Sequence, residues 1–240
     1  MVTPMSLFDL VEAFAAEDGC PVCVLGQRGL EQFYHTLLFE RIIHPEAHES
    51  FRAGLGLCNV HAWQLARHGG ALLNIAVYYR GVLDQLLDVL DGASDGPVRS
   101  GLGRMLGSSG SSSLADRLQP TDSCMACQAQ DHADQLYVRV IAEHITDSRL
   151  SEAYRASHGL CLPHFRQTLA AARTPAARKL LIALQRDIWE RLLADLDTFK
   201  EMHDYHHTGE RMGAEGDSWL RVLRGLAGEQ GAFGLDSEGG

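Results

Sequence analysis

Cys20-Pro21-Val22-Cys23, followed after 34 residues by Cys58-Asn59-Val60-His61, is a pattern that the chain uses twice. The second copy is Cys124-Met125-Ala126-Cys127, followed after 33 residues by Cys161-Leu162-Pro163-His164. These six cysteines are all that the chain contains. A Gly-Leu pair precedes the third cysteine of each copy, as Gly56-Leu57 and Gly159-Leu160. The economical reading is an internal duplication carrying two sites, each of three cysteines and one histidine. A CxxC pair brings two thiolates to one ion, and a distant second pair closes a tetrahedral shell. The near-equal spacers lead us to expect that each site draws its ligands from within one repeat. Cys20, Cys23, Cys58 and His61 would form the first, and Cys124, Cys127, Cys161 and His164 the second.

Three chemistries use such ligands. Zinc takes three thiolates and one imidazole in a closed, structural site. An iron–sulfur cluster more often takes four cysteines with shorter spacers. Thiol–disulfide exchange needs only the CxxC pairs, and would leave Cys58/His61 and Cys161/His164 without a role. No βαβ pattern surrounds either CxxC, and neither is followed directly by His as c-type haem attachment requires. We therefore expect two zinc ions per chain, with an iron–sulfur cluster as the alternative. Pro21 and Pro163 favour the first turn of a helix, which places Cys20 and Cys161 at helix N-termini. Orphan N–H groups there favour thiolate over thiol, for a metal ligand and for a reactive cysteine alike.

Apolar spacing is helical nearly throughout. Leu7, Leu10, Val11 and Phe14 mark a first helix, with Ser6 at its start. Leu30, Phe33, Tyr34, Leu37 and Leu38 mark a second, ended by Pro45. Leu72, Ala76, Tyr79, Leu83, Leu86, Leu87 and Leu90 define a long amphipathic helix over 71–90. In the second half, Leu181, Leu184, Ile188, Leu192, Leu196 and Phe199 define another over 176–202. No convincing strand pair is present. The expected fold is all-α: two duplicated helical repeats, each organised around a metal site, with the two long helices paired across the repeats. Residues 1–92 form the first repeat and 118–207 the second. The Gly/Ser-rich stretch 93–117 reads as a linker, and 208–240 as a tail with one short helix and a disordered end. We expect that helix, 218–226, to fold back and bury Trp219.

The 240 residues carry 31 acidic and 21 basic side chains, a formal net charge of −10. That balance argues against a non-specific grip on nucleic acid, so zinc-finger-like spacing is not read as DNA binding. No apolar run approaches the roughly 18 residues that span a bilayer. The N-terminus lacks a basic n-region and reaches Asp9 and Glu12 early, unlike a secretory signal. A cytoplasmic location, where thiols stay reduced, is expected. No Ser-His-Asp set, P-loop or Rossmann glycine set is visible, so no catalytic residue is assigned. His203, His206 and His207 cluster around Tyr205, where helix-end capping is the simpler reading than a further metal site.

Past the second Cys-x-x-His run, Lys200-x-x-His203-Asp204-Tyr205 is followed by Gly213-x-Glu215-x-Asp217-Ser218-Trp219. With the two CxxC and Gly-x-Cys-x-x-His motifs, this order resembles a family of bacterial and archaeal proteins known only as a domain of unknown function. The resemblance covers almost the whole chain. In that pattern Arg often follows His-Asp-Tyr; here it is His206. The resemblance implies the duplication and the metal, and no activity. The expected function is a metal-stabilised interaction or regulatory module without catalysis of its own. It would have a protein partner, no nucleic-acid or membrane partner, and the option of a homodimer. The alternative is a redox protein using a cluster or the CxxC thiols.

Overall fold

The computed structural model describes residues 4–16, 19–94, 113–203 and 213–233. The centre of the expected linker, the Asp204–His207 portion of the histidine cluster and the chain beyond Phe233 lie outside the described residues. Among the described residues every regular element is helical. Helix α1 (Pro4–Ala16) is followed by α2 (Pro21–His35), which continues into a π-helical turn at Thr36–Glu40. Then come α3 (Pro45–Ala53), α4 (Asn59–Leu65) and α5 (Leu72–Ser94). A one-turn helix, α6 (Leu114–Arg117), lies within the expected linker, opened by a Ser113–Asp116 capping box. The series resumes with α7 (Met125–His144), α8 (Ser148–Ala156), α9 (Leu162–Ala171) and α10 (Pro175–Met202). After a 3-10 turn at Ala214–Asp217, α11 (Ser218–Ala227) completes the set. The run α2 to α5 and the run α7 to α10 repeat one order, with CxxC opening the first helix and CxxH the third.

The starts of these helices are written locally. Pro21, Pro45 and Pro175 occupy first positions, where the missing N–H costs nothing. Asp147 accepts from the backbone N–H groups of Arg149 and Leu150, and Thr174 from that of Ala177. Each such cap contributes about 1 kcal/mol.

The chain forms two compact units that cut across the repeats. One holds residues up to Glu31 together with Ala129–Phe233; the other holds Gln32–Gln128. In the first, α1 packs on α8, and α8 on α10. The rings of Phe14 and Tyr154 lie 4.9 Å apart there, among Leu10, Ile141, Ile145, Leu150 and Leu181, all inaccessible to solvent. Burying each of these aliphatic side chains stabilises the fold by about 1.5–3 kcal/mol. In the second unit α3 packs on α5. Phe51 sits between Tyr78 and Tyr79, at 4.9 and 5.1 Å, and the Tyr78 hydroxyl donates to the carbonyls of Leu37 and Arg41.

Within their own units, α5 packs on α3, and α10 on α8 and α11. Leu83 and Leu87 of the α5 stripe stay exposed. One expectation is corrected. Helix α11 does fold back, against α9 and α10, but Trp219 is 50% exposed. The inward stripe is Ser218, Arg221, Val222 and Gly225, spaced by one helical turn. The Arg221 guanidinium takes the inner position, bonded to Asp195 and Asp217 at 2.8 Å each. Trp219 is rotated about 100° from Ser218 and faces outward.

Candidate metal centres

The structure brings all eight expected ligands into two clusters, but not in the expected combinations. Centre I joins Cys20 and Cys23 to Cys161 and His164; centre II joins Cys58 and His61 to Cys124 and Cys127. Each CxxC meets the CxxH of the other repeat, which overturns the within-repeat ligand sets. Each centre lies wholly inside one compact unit.

Local backbone explains how each pair is presented. Cys58 and Cys161 are the N-cap residues of α4 and α9, with extended backbone at φ −61°, ψ 166° and φ −66°, ψ 158°. One turn later, His61 and His164 point back to the same spot. Before each cysteine the chain turns through a left-handed glycine, Gly56 at φ 92° and Gly159 at φ 74°. Only glycine adopts this without strain. A Cβ at Gly159 would lie 2.9 Å from Gln185 Oε1, and one at Gly56 2.8 Å from Tyr79 Cε1. Those neighbours hold the turn. Gln185, fully buried, accepts from Leu160 N–H and donates to the Leu160 carbonyl, both at 3.1 Å. At centre II the Tyr79 ring fills the space beside Gly56.

In both centres the imidazole offers Nδ1 to the sulfurs. His164 Nδ1 lies 3.5, 3.4 and 3.3 Å from the Sγ atoms of Cys20, Cys23 and Cys161. His61 Nδ1 lies 3.3, 3.6 and 3.3 Å from those of Cys58, Cys124 and Cys127. The Cys23–Cys161 and Cys58–Cys127 sulfur separations are both 3.7 Å. A disulfide would need about 2.05 Å, and all six cysteines are free. Ligands about 2.3 Å (sulfur) and 2.0–2.1 Å (nitrogen) from one tetrahedral ion give S···S edges near about 3.75 Å and S···N edges near about 3.55 Å. The observed edges match that polyhedron, so each group can hold one metal ion.

The surroundings of the two centres differ. In centre I all four ligands are buried; in centre II Cys58 is partly exposed. His164 Nε2 lies 3.2 Å from Asp134 Oδ2, a carboxylate only 7% exposed. Asp134 Oδ1 has no hydrogen-bond partner among the described residues. The chain after α11 turns at Gly228 and returns over centre I. The Phe233 ring lies tilted 5.2 Å from the His164 ring, and Gln130 donates to the Ala232 carbonyl.

Proton affinities follow this packing. Burial works against the Cys20 thiolate, but hydrogen bonds from Cys161, Cys23 and His164 outweigh it and lower its pKa. Hydrogen bonding with Cys161 and Cys20, then burial, raises Cys23. The hydrogen bond with Cys20 likewise raises Cys161. Burial disfavours His164 as a cation, yet Asp134, Cys161 and Cys20 push it up to about 12. At centre II a hydrogen bond from Cys127 lowers Cys124 to about 3, and the same pairing raises Cys127.

Asp134 and Gln185 went unnoticed in the sequence. The readable signal was polarity on an inward stripe. Asp134 and Gln130 share a helix face with Val138, Ile141 and Ile145, and Gln185 sits among Leu181, Leu184 and Ile188.

The fold and these clusters define an all-helical protein with two groups, each of three cysteines and one histidine, able to hold metal. Over residues 1–232 the chain matches the model of a family of unknown function, DUF6062, and it belongs to that family. It is 23% identical over 223 residues to an uncharacterized 23.9 kDa protein encoded in the xynA 3' region of Caldicellulosiruptor sp. (strain Rt8B.4). That match covers 92% of this chain and 100% of the relative. No solved structure matches the chain.

Proposed function

We propose that the protein binds two zinc ions, one at each centre, as closed structural sites, and acts as an interaction or regulatory module without catalysis of its own. The observation that carries this reading is the tetrahedral edge set. All four donor atoms of each group lie within 4.8 Å of one another, the spacing of ligands around a single ion. A cluster distributes its ligands over two or more irons and needs a wider frame, so the spacing weighs against the iron–sulfur alternative. Three thiolates and a neutral imidazole fill a tetrahedral zinc ion and leave no position for substrate. Burial of the ligands further weighs against open thiol–disulfide exchange. Six free thiols fit the reducing cytoplasm, and no helix among the described residues is long and apolar enough to cross a membrane. A protein partner is the remaining element, and a homodimer is one form it can take.

Elemental analysis beside an absorption spectrum of anaerobically purified protein tests the metal. Two equivalents of zinc in a colourless protein are expected. A visible absorption band with iron, or less than one metal per chain in reduced protein, would overturn it.

A further inference from the structure

Between Ala153 and Arg186 the chain holds no Asp or Glu, although 31 of its 240 residues are acidic. The same stretch carries Arg155, Arg166, Arg173, Arg178, Lys179 and Arg186, every one exposed. The centre of this segment is the corner from α9 into α10. Arg173, Arg178 and Lys179 surround a groove of about 350 Å³ there, completed by Pro175 and Ile182. No carboxylate lines it. Ile182 is 47% exposed, an apolar spot among cations. Along α10, Arg178, Ile182 and Arg186 share one face at intervals of four residues. The groove opens at the N-terminus of this 28-residue helix, whose first turn has no acidic residue to offset the dipole.

A second arginine-lined cavity of the same unit behaves differently. Beside Cys20 and Cys161, Arg221 is bonded to Asp195 and Asp217, and Arg224 pairs with Glu229 at 3.4 Å. That positive charge is neutralised within the fold. At the α9–α10 corner, among the described residues, no carboxylate pairs with Arg166, Arg173, Arg178 or Lys179. The one bond recorded for these four goes from Arg178 to the Ala172 carbonyl. A protein of net charge −10 that gathers unpaired cations around an exposed isoleucine presents complementarity to an acidic ligand with an apolar side chain.

We propose that this corner docks an acidic segment of a partner protein, with an apolar residue seated against Pro175 and Ile182 and flanking carboxylates on Arg173, Arg178 and Lys179. The inference rests on the reading of the protein as an interaction module and gives its partner a chemistry. The acidic remainder of the surface repels a long polyanion, whereas a short peptide stays within the basic patch. Guanidiniums suit carboxylates because they bind them bidentately.

The test uses full-length, metal-loaded protein and a dye-labelled peptide of Asp and Glu flanking a central Leu-Leu pair. Fluorescence anisotropy should show binding that weakens steeply between about 50 and 300 mM salt. Arg173→Glu combined with Arg178→Glu and Lys179→Glu should reduce affinity on the order of tenfold or more, and Ile182→Ser by a smaller factor. All these side chains are exposed, so metal content and helical circular dichroism should be unchanged. An all-Asp/Glu peptide without the leucines should bind more weakly than the probe. Absence of salt-dependent binding, or equal binding by the charge-reversed variant, overturns the proposal. So does tighter binding of a single-stranded oligonucleotide, or full competition by inorganic phosphate at equal concentration. The metal readout is separate: failure of docking in a protein holding two zinc ions sinks this proposal alone, whereas a metal-free but folded protein sinks the reading of the centres.

Discussion

Centre I and centre II share ligand types and the ligating nitrogen atom, with CxxC before CxxH at centre I and CxxH before CxxC at centre II, yet they are set in different matrices. Centre I is walled by Tyr154, Leu160, Gln185 and the returning Phe233, with Asp134 behind its histidine. Centre II leaves Cys58 partly exposed, and its turn is held by the half-buried Tyr79. Seven residues beyond the second cysteine of each CxxC, the second repeat carries Asp134 and the first carries Leu30. Duplicated ligands therefore need not mean duplicated chemistry. The two candidate ligand sets are alike in type, while the side chains packed around them differ. A carboxylate behind a metal-ligating histidine orients the ring and raises its basicity, and Asp134 stands in that position beside His164.

The sharpest way to break the comparison is to test the crossing itself. Cys58→Ser with Cys124→Ser strikes one centre twice and should remove one metal equivalent. Cys58→Ser with Cys20→Ser strikes both and should remove two. Ligands drawn from within repeats would give the opposite result by elemental analysis. Because structural zinc commonly contributes on the order of 10 kcal/mol to folding, the second double variant should also lose most of its cooperative melting.

Acid should weaken centre I steeply. Cys23, Cys161 and His164 all have raised proton affinity, and loading must expel those protons. Below their pKa values the ion competes with about three of them, so apparent affinity should fall on the order of a thousandfold per pH unit and recover as pH rises. Competition titrations against a chelator of known affinity measure the slope. A slope near one would mean the thiols are already ionised.

Asp134→Asn sharpens the contrast between the centres. It should lower metal affinity at centre I by about 10- to 100-fold, leave centre II unchanged, and flatten the acid slope as His164 loses its carboxylate. Equal loss at both centres would show that Asp134 acts on the fold rather than on His164.

The smallest effect lies in the turns. Gly159→Ala and Gly56→Ala each force alanine into left-handed backbone, at about 1–2 kcal/mol. Gly159→Ala should melt lower than Gly56→Ala, because buried Gln185 has less room to yield than Tyr79. Thermal denaturation of the two variants, with both metals retained, reads the difference.

Most of the helices, several of their proline starts and all eight candidate ligands were legible because each is written in local spacing; α8 and α3, which Pro45 opens instead of ending the helix before it, were not. The pairing of ligands was not. In a chain that carries the motif pair twice, every CxxC has two chemically equal CxxH partners, and exchanging them leaves every spacer unchanged. Equal spacing therefore carries no information about which pair closes which shell. The orientation of α11 escaped for a different reason. Trp219 with Leu220, Leu223 and Leu226 suggests an apolar inner face, but small residues at Ser218 and Gly225, with the Arg221–Asp195 bridge, decide which side approaches α10. The Asp134 carboxylate was visible only as a polar residue on an apolar stripe, a pattern that gains its meaning once His164 is known to lie beside it.

The crossed ligand sets also impose an order on biosynthesis. Cys23 and Cys161 are separated by 138 positions, and a ribosome adds about 5–20 residues per second. The first CxxC is thus made about 7 to 28 seconds before its partner exists. By contrast, the ligands of centre II lie within 69 positions of one another, so that shell is complete while part of the chain is still unmade. For this interval Cys20 and Cys23 are an unsatisfied pair of thiols on a nascent chain, with Cys58 and His61 as the nearest available mates. Folding must avoid or undo that native-like but wrong grouping, and under the proposed two-zinc reading the supply of the ion during translation becomes a determinant of yield.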